Sequence, residues 1–133
     1  KTINNLFLLS APFLQFLTDV SILRTKGVNL INLVRRQDQA DELKQSLGQD
    51  VHVVVFDGNN TADAVEQIQS ITGGKGINYG LEAVAGSVTD VMVKAAAPRA
   101  TILVYGVMST DSWKLSPGEV LFKEIRIHGT LLK

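Results

Sequence analysis

A doubly wound α/β fold, in which helices cover both faces of a parallel sheet, is what this sequence predicts, and three observations predict it. Short apolar runs alternate with helical stretches of about ten residues. Glycine or proline punctuates most of the boundaries between them. Runs such as Leu30 to Val34 and Val51 to Phe56 are short and mostly apolar, as strands buried on both faces are. Right-handed crossovers between parallel strands then imply six strands in the order 3-2-1-4-5-6, within a single domain over residues 1–133.

Each element has a local cause. Thr2 to Leu9 reads as the first strand, and Phe13, Phe16, Leu17, Val20 and Leu23 recur at helical spacing up to Lys26, before Gly27. Leu30 to Val34 is the second strand, closed by Arg35 and Arg36. Asp38 to Leu47 sets Ala40, Leu43 and Leu47 on one helix face, with Gly48 at the carboxyl end. Val51 to Phe56 is the third strand. Asn60 or Thr61 then caps a helix that turns Val65, Ile68 and Thr72 inward and stops at Gly73-Gly74-Lys75-Gly76. Ile77 to Val84 is a strand, Ser87 to Ala97 a helix and Thr101 to Tyr105 a strand. A short helix begins near Ser116, with Pro117 in its first turn, and Glu124 to Leu131 alternates as a closing strand.

Composition narrows the function. With 133 residues, 45% hydrophobic and 20% charged, the chain buries one sizeable core. Thirteen basic residues balance thirteen acidic ones, and the longest basic cluster is the pair Arg35-Arg36, so there is no electrostatic footprint for nucleic acid. The absence of cysteine removes disulfides, thiolate zinc sites and cysteine nucleophiles. His52 and His128 fall on separate strands, without the spacing of a metal pair, and no Ser-His-Asp or paired-carboxylate constellation stands out. No metal is expected. Leu6 to Leu23 is apolar, but polar residues and Pro12 interrupt it, so it falls short of the roughly 20 apolar residues of a membrane span. The chain begins with Lys1, which fits a processed product or a piece of something longer.

One feature cuts across the fold. In a doubly wound sheet the first strand-to-helix turn brings a pyrophosphate against bare backbone amides, and glycines allow that approach. Here Lys1 to Lys26 contains no glycine, and the turn reads Asn5-Leu6-Phe7-Leu8-Leu9-Ser10-Ala11-Pro12-Phe13. Bulky side chains crowd the phosphate position and Pro12 withholds an amide.

The blocks "GVNLINLVRRQDQADELKQSLG", "ITGGKGINYGLEAVAG", "ATILVYGVMS" and "SPGEVLFKEIRIHGTLL" stand in order from about Gly27 to Leu132. Together they resemble the cofactor (Rossmann) domain of the medium-chain dehydrogenase/reductase superfamily, and within it the zinc-free quinone oxidoreductase and trans-2-enoyl-thioester reductase branch. The resemblance implies NADPH as cofactor, with Arg35 and Arg36 gripping its 2′-phosphate at the end of the second strand. It implies contacts near the nicotinamide in the loops Val84-Ala85-Gly86-Ser87 and Tyr105-Gly106-Val107-Met108, where Gly86, Tyr105, Gly106 and Val107 are the candidates. Read without the family, Arg35 and Arg36 are equally a solvated pair, and the glycines ordinary turn residues. The likeness to mitochondrial enoyl reductases implies a mitochondrial home, for which no transit segment speaks.

Departures from the family set two expectations against each other. The family's Pro-Gly-Gly before the fifth strand is Pro98-Arg99-Ala100 here, and Glu82 stands where aspartate is common. Family members are also much longer and take their proton donor from a barrel domain absent from this sequence, so no catalytic residue is assigned. In the leading expectation the chain is a non-catalytic relic, a structural or interaction subunit that meets a protein partner or a second copy through the edge strand Glu124 to Leu131. In the alternative it is the cofactor half of an active NADPH-dependent 2-enoyl-thioester or quinone reductase, whose barrel lies on another chain or is missing.

Overall fold

The computed structural model describes residues 6–10, 25–27 and 29–131. Of the strand expected over Thr2 to Leu9, residues 2–5 lie outside the described residues, as do the turn at Ala11-Pro12 and most of the helix expected over Phe13 to Lys26.

Six strands form one sheet in the order β3-β2-β1-β4-β5-β6, and every neighbouring pair is parallel. The strands are β1 Leu6–Ser10, β2 Asn29–Val34, β3 His52–Val55, β4 Ile77–Glu82, β5 Ala96–Val104 and β6 Arg126–Gly129. Four helices are described: α1 Gln37–Leu47, α2 Thr61–Ile71, α3 Ser87–Lys94 and α4 Pro117–Lys123. The central register sets Leu9 of β1 between Asn32 of β2 and Leu81 of β4. The result is a Rossmann-like α/β domain whose strands all point their carboxyl ends to one rim.

The two faces of the sheet bury different sets of side chains. Ile31, Leu33, Val54, Phe56, Ile77 and Ile102 pack beneath α2 and α3, against Ala64, Ile68, Val91 and Met92. Leu30 and Val34 point the other way, onto Ala40 and Leu43 of α1. The alternation along β2 therefore feeds both layers, which is why its run is mostly apolar. Asn32 is the exception in that run; it is buried, and its Nδ2 donates to the His52 carbonyl at 3.1 Å.

Caps fix the crossovers. Gln39 Oε1 accepts from the backbone amides of Arg35 and Arg36, both at 3.1 Å, and so starts α1 directly off the end of β2. Asn60 ends its own loop by accepting from Asp57 N and donating to the Val55 carbonyl. Thr72 Oγ1 accepts from Gly76 N at 3.0 Å, and a Cβ at Gly76 would lie 2.7 Å from the Ala95 carbonyl, so only glycine lets β4 leave beside α3. Lys123 of α4 donates to the carbonyls of Val93 and Lys94 and pairs with Glu119 at 2.8 Å, capping the carboxyl end of α3.

Several boundaries differ from those the sequence suggests. Helix α3 stops at Lys94 instead of Ala97, because Ala95 to Ala97 belong to the approach to β4 and β5 begins at Ala96, five residues early. Ile77 pairs with Ala96 and Tyr79 with Thr101, so the register skips there. The skip is made by Arg99, which takes φ +62 in the left-handed region. Strand β4 closes at Glu82 and β6 spans only Arg126–Gly129, because Glu124 takes φ +53 and turns α4 into the strand.

Candidate functional site

The carboxyl rim of the sheet holds a hollow of about 190 Å³. Four segments wall it: Arg35 after β2, Phe56 to Asn59 after β3, Val84, Ala85, Ser87 and Val88 after β4, and Ser109 and Asp111 in the segment after β5. Ligands of open doubly wound sheets sit in such a crevice, outside the strand ends. Glycine and Asx turns shape its walls. Gly58 takes φ +99, and Asp57 Oδ1 accepts from Asn59 N at 2.8 Å, which rounds the loop after β3.

The β4 loop is built around one carboxylate. Glu82 is fully buried; its Oε1 accepts from Val84 N at 2.8 Å and Ala85 N at 2.7 Å, and its Oε2 from Thr89 Oγ1 at 2.7 Å. Burial pushes this carboxyl above its ordinary value, against the pull of the hydrogen bonds from Thr89, Ala85 and Val84. Ala85 takes φ +66 and Gly86 φ +68, so the chain reverses sharply into α3. Val84 O in turn accepts from Met108 N at 3.0 Å and Ser109 N at 2.8 Å, joining the loops of β4 and β5.

The residues singled out from the sequence separate into three groups. Arg35 lines the hollow, and among the described residues it makes no ion pair. Arg36 points into its own helix cap, where its Nε meets Asp38 Oδ1 at 3.0 Å and holds the Asp38 carboxyl below its ordinary value. Gly86 borders the wall formed by Ser109 and Asp111, for a Cβ there would lie 2.5 Å from Ser109 Oγ. Tyr105 and Gly106 sit behind that wall: Tyr105 packs on the α1 side of the sheet, and Gly106 lies on Ala83. Val107 is exposed, as is its neighbour Met108. Sequence reasoning did not single out Asp57, Ser109, Asp111 or the Thr89 partner of Glu82. The position of Glu82 at the strand end, followed by Ala-Val-Ala-Gly, was the available signal.

Chemically, the hollow presents the Arg35 guanidinium, the carboxylates of Asp57 and Asp111, the Asn59 amide, the hydroxyls of Ser87 and Ser109, and apolar surface from Phe56 and Val88. The guanidinium suits an anionic group, the two carboxylates suit hydroxyl or amine donors, and Phe56 and Val88 suit an apolar or aromatic part of a ligand. Among the described residues, no group of three His, Cys, Asp or Glu side chains could hold a metal ion, and no helix is long and apolar enough to cross a membrane. Tyr79 and Tyr105 belong to β4 and the end of β5, and neither lines the hollow.

Solved structures share this architecture. AibC superposes with a TM-score of 0.79 at 25% identity, over 98% of this chain and 36% of its own. A mycobacterial quinone oxidoreductase gives 0.78 at 18% identity, over 99% and 40%. A mycobacterial protein complexed with NADPH gives 0.75 at 17%, over 98% and 39%. The chain thus spans between 36% and 40% of the length of these structures. No curated protein matches it. The family model of the zinc-binding dehydrogenases matches residues 17–133. The chain belongs to that family, as a cofactor-binding domain of the medium-chain dehydrogenase/reductase superfamily.

Proposed function

We propose that this chain is the cofactor half of an NADP(H)-dependent oxidoreductase, with Arg35 as the clamp for the 2′-phosphate. The observation that carries the reading is the hollow itself: it opens at the carboxyl ends of the strands, and a guanidinium stands on its wall at the end of β2. A planar guanidinium matches phosphate oxygens two at a time. Gly86, where a Cβ would lie 2.5 Å from Ser109 Oγ, lets the loop after β4 approach the segment that carries Ser109 and Asp111. When bound, the nicotinamide supplies or accepts the hydride. The chain's own part is to hold the adenosine end, orient it through the loops after β3 and β4, and exclude water with Phe56 and Val88. The family description speaks of zinc, but the described residues offer no ligand set for it and the sequence has no cysteine, so no step is derived through a metal. The sequence resemblance to the zinc-free branch supports a 2-enoyl thioester or a quinone as substrate.

A second reading, a non-catalytic structural subunit, is favoured by one sequence fact, the glycine-free run from Lys1 to Lys26. In that case β6, at the margin of the sheet, is the route to a partner or a second copy. Titration of the full chain with NADPH separates the two. Saturation at about a hundred times the dissociation constant should stabilise the fold by about 2.7 kcal/mol. Arg35→Ala should weaken NADPH about tenfold or more while sparing NADH, and Arg36→Ala should change little. No stabilisation by either dinucleotide would replace the first reading with the second.

A further inference from the structure

We infer that Glu82 is the positioning residue of the cleft, fixing both loops that a bound dinucleotide would touch; the inference rests on the cofactor reading above. Three donors converge on this side chain: Val84 N, Ala85 N and Thr89 Oγ1, at 2.7 to 2.8 Å. An ionised carboxylate has two acceptor oxygens and no donor, so it takes all three; an amide offers one acceptor oxygen and turns a donor toward the third. A neutral apolar residue would leave two amides and a hydroxyl buried without partners.

What Glu82 holds is strained. Ala85 carries a Cβ in the left-handed region at φ +66, a conformation that alanine adopts only when its surroundings impose it. The carboxylate grips the amide of that very residue. Val84, Ala85, Ser87 and Val88 form the β4 wall of the hollow, and Val84 O carries the restraint across to Met108 N and Ser109 N. Ser109 and Asp111 belong to the facing wall. One buried side chain thereby sets the separation of two walls that it does not itself line. A carboxylate with no cationic partner among the described residues is expensive to bury, and the three converging donors offset that cost.

The test measures NADPH affinity by nicotinamide fluorescence, well below the melting temperature of each variant, so that lost stability alone does not move it. Glu82→Leu, which offers no acceptor, is expected to weaken NADPH at least about tenfold, and Glu82→Gln to recover all but about threefold of that loss. If Glu82→Leu does not fold, Thr89→Val takes its place, with an expected loss of about threefold to tenfold. Wild-type affinity in Glu82→Leu, or in Thr89→Val where the former fails to fold, overturns the inference while leaving the cofactor reading intact. Failure of the wild-type chain to bind NADPH removes that reading, and this inference with it.

Discussion

Asp90 grips the backbone amide of Lys114 with both carboxylate oxygens, at 3.0 and 3.2 Å, across 24 residues of sequence. Asp90 lies in the first turn of α3 and is almost fully buried, so the bond ties the long segment after β5 to the helix that follows β4. The same segment carries Ser109 and Asp111 to the hollow. Asp90→Ala should therefore cost about 2 kcal/mol, the usual scale for removing a charged acceptor from a buried donor. Urea denaturation reads the cost, and hydrogen exchange at the Lys114 amide reads the release; protection equal to wild type would contradict the tether.

Glu82 should make stability depend on pH in the direction opposite to most carboxylates. Its folded value lies above the ordinary 4.5, first through burial, so the folded state holds the proton more tightly than the unfolded chain does. Its contribution is thus fully present below the ordinary value and is lost as pH rises through the raised one. Glu82→Gln removes that dependence. The difference in unfolding free energy, variant minus wild type, should grow as pH rises above the ordinary 4.5. Exposed carboxyls such as Asp38 titrate in both proteins and cancel. A difference that is flat or shrinks would show that the carboxylate is not penalised by its burial.

Gly106 is held by space and not by φ. A Cβ there would come within 2.7 Å of the Ala83 carbonyl oxygen and 3.2 Å of its Cα, and backbone cannot step aside as a flexible side chain can. Gly106→Ala should lower stability by about 2 kcal/mol. Gly129→Ala is the control: nothing lies within 4 Å of its Cβ, and the expected change is within about 0.5 kcal/mol. Thermal melts of the two variants should separate clearly, and coincident melts would count against the packing of the β5 end on the β4 end.

Arg99 sits exposed in the left-handed region, in the stretch where the resembling family has glycine. Left-handed backbone costs an L-residue roughly 1–2 kcal/mol, and glycine returns part of that gain as unfolded-state entropy. Arg99→Gly should accordingly raise stability by roughly 0.5 kcal/mol, seen as a higher urea midpoint with an unchanged slope. A lower midpoint would mean that the arginine makes contacts that outweigh its strain.

Legibility in the sequence followed locality. Ala40 and Leu43 at helical spacing, with Gly48 behind them, mark α1 because one face of a helix must find the core. Leu30 to Val34 marks β2 for the same kind of reason. The failures were at Ala95 to Ala97, at the carboxyl end of β4 and at both ends of β6. Three alanines favour a helix by propensity, but pairing of Ala96 with Ile77 overrides it. Of the candidate site, Arg35 was legible as a charge at a strand end, whereas its separation from Arg36 was not: the capping of α1 by Gln39 and the pull of Asp38 decide it.

By itself the sequence determined that strands and helices alternate, which face of each is apolar, and that the superfamily's cofactor domain is the relevant architecture, because these are properties of neighbours along the chain. Only the tertiary structure decided that Glu82, Thr89 and Val84 form one polar knot, that Asp90 reaches Lys114, and that Arg35 shares a hollow with the loops of three other strands. Those relations join residues that parallel crossovers bring together at one rim of the sheet, and no local periodicity encodes them.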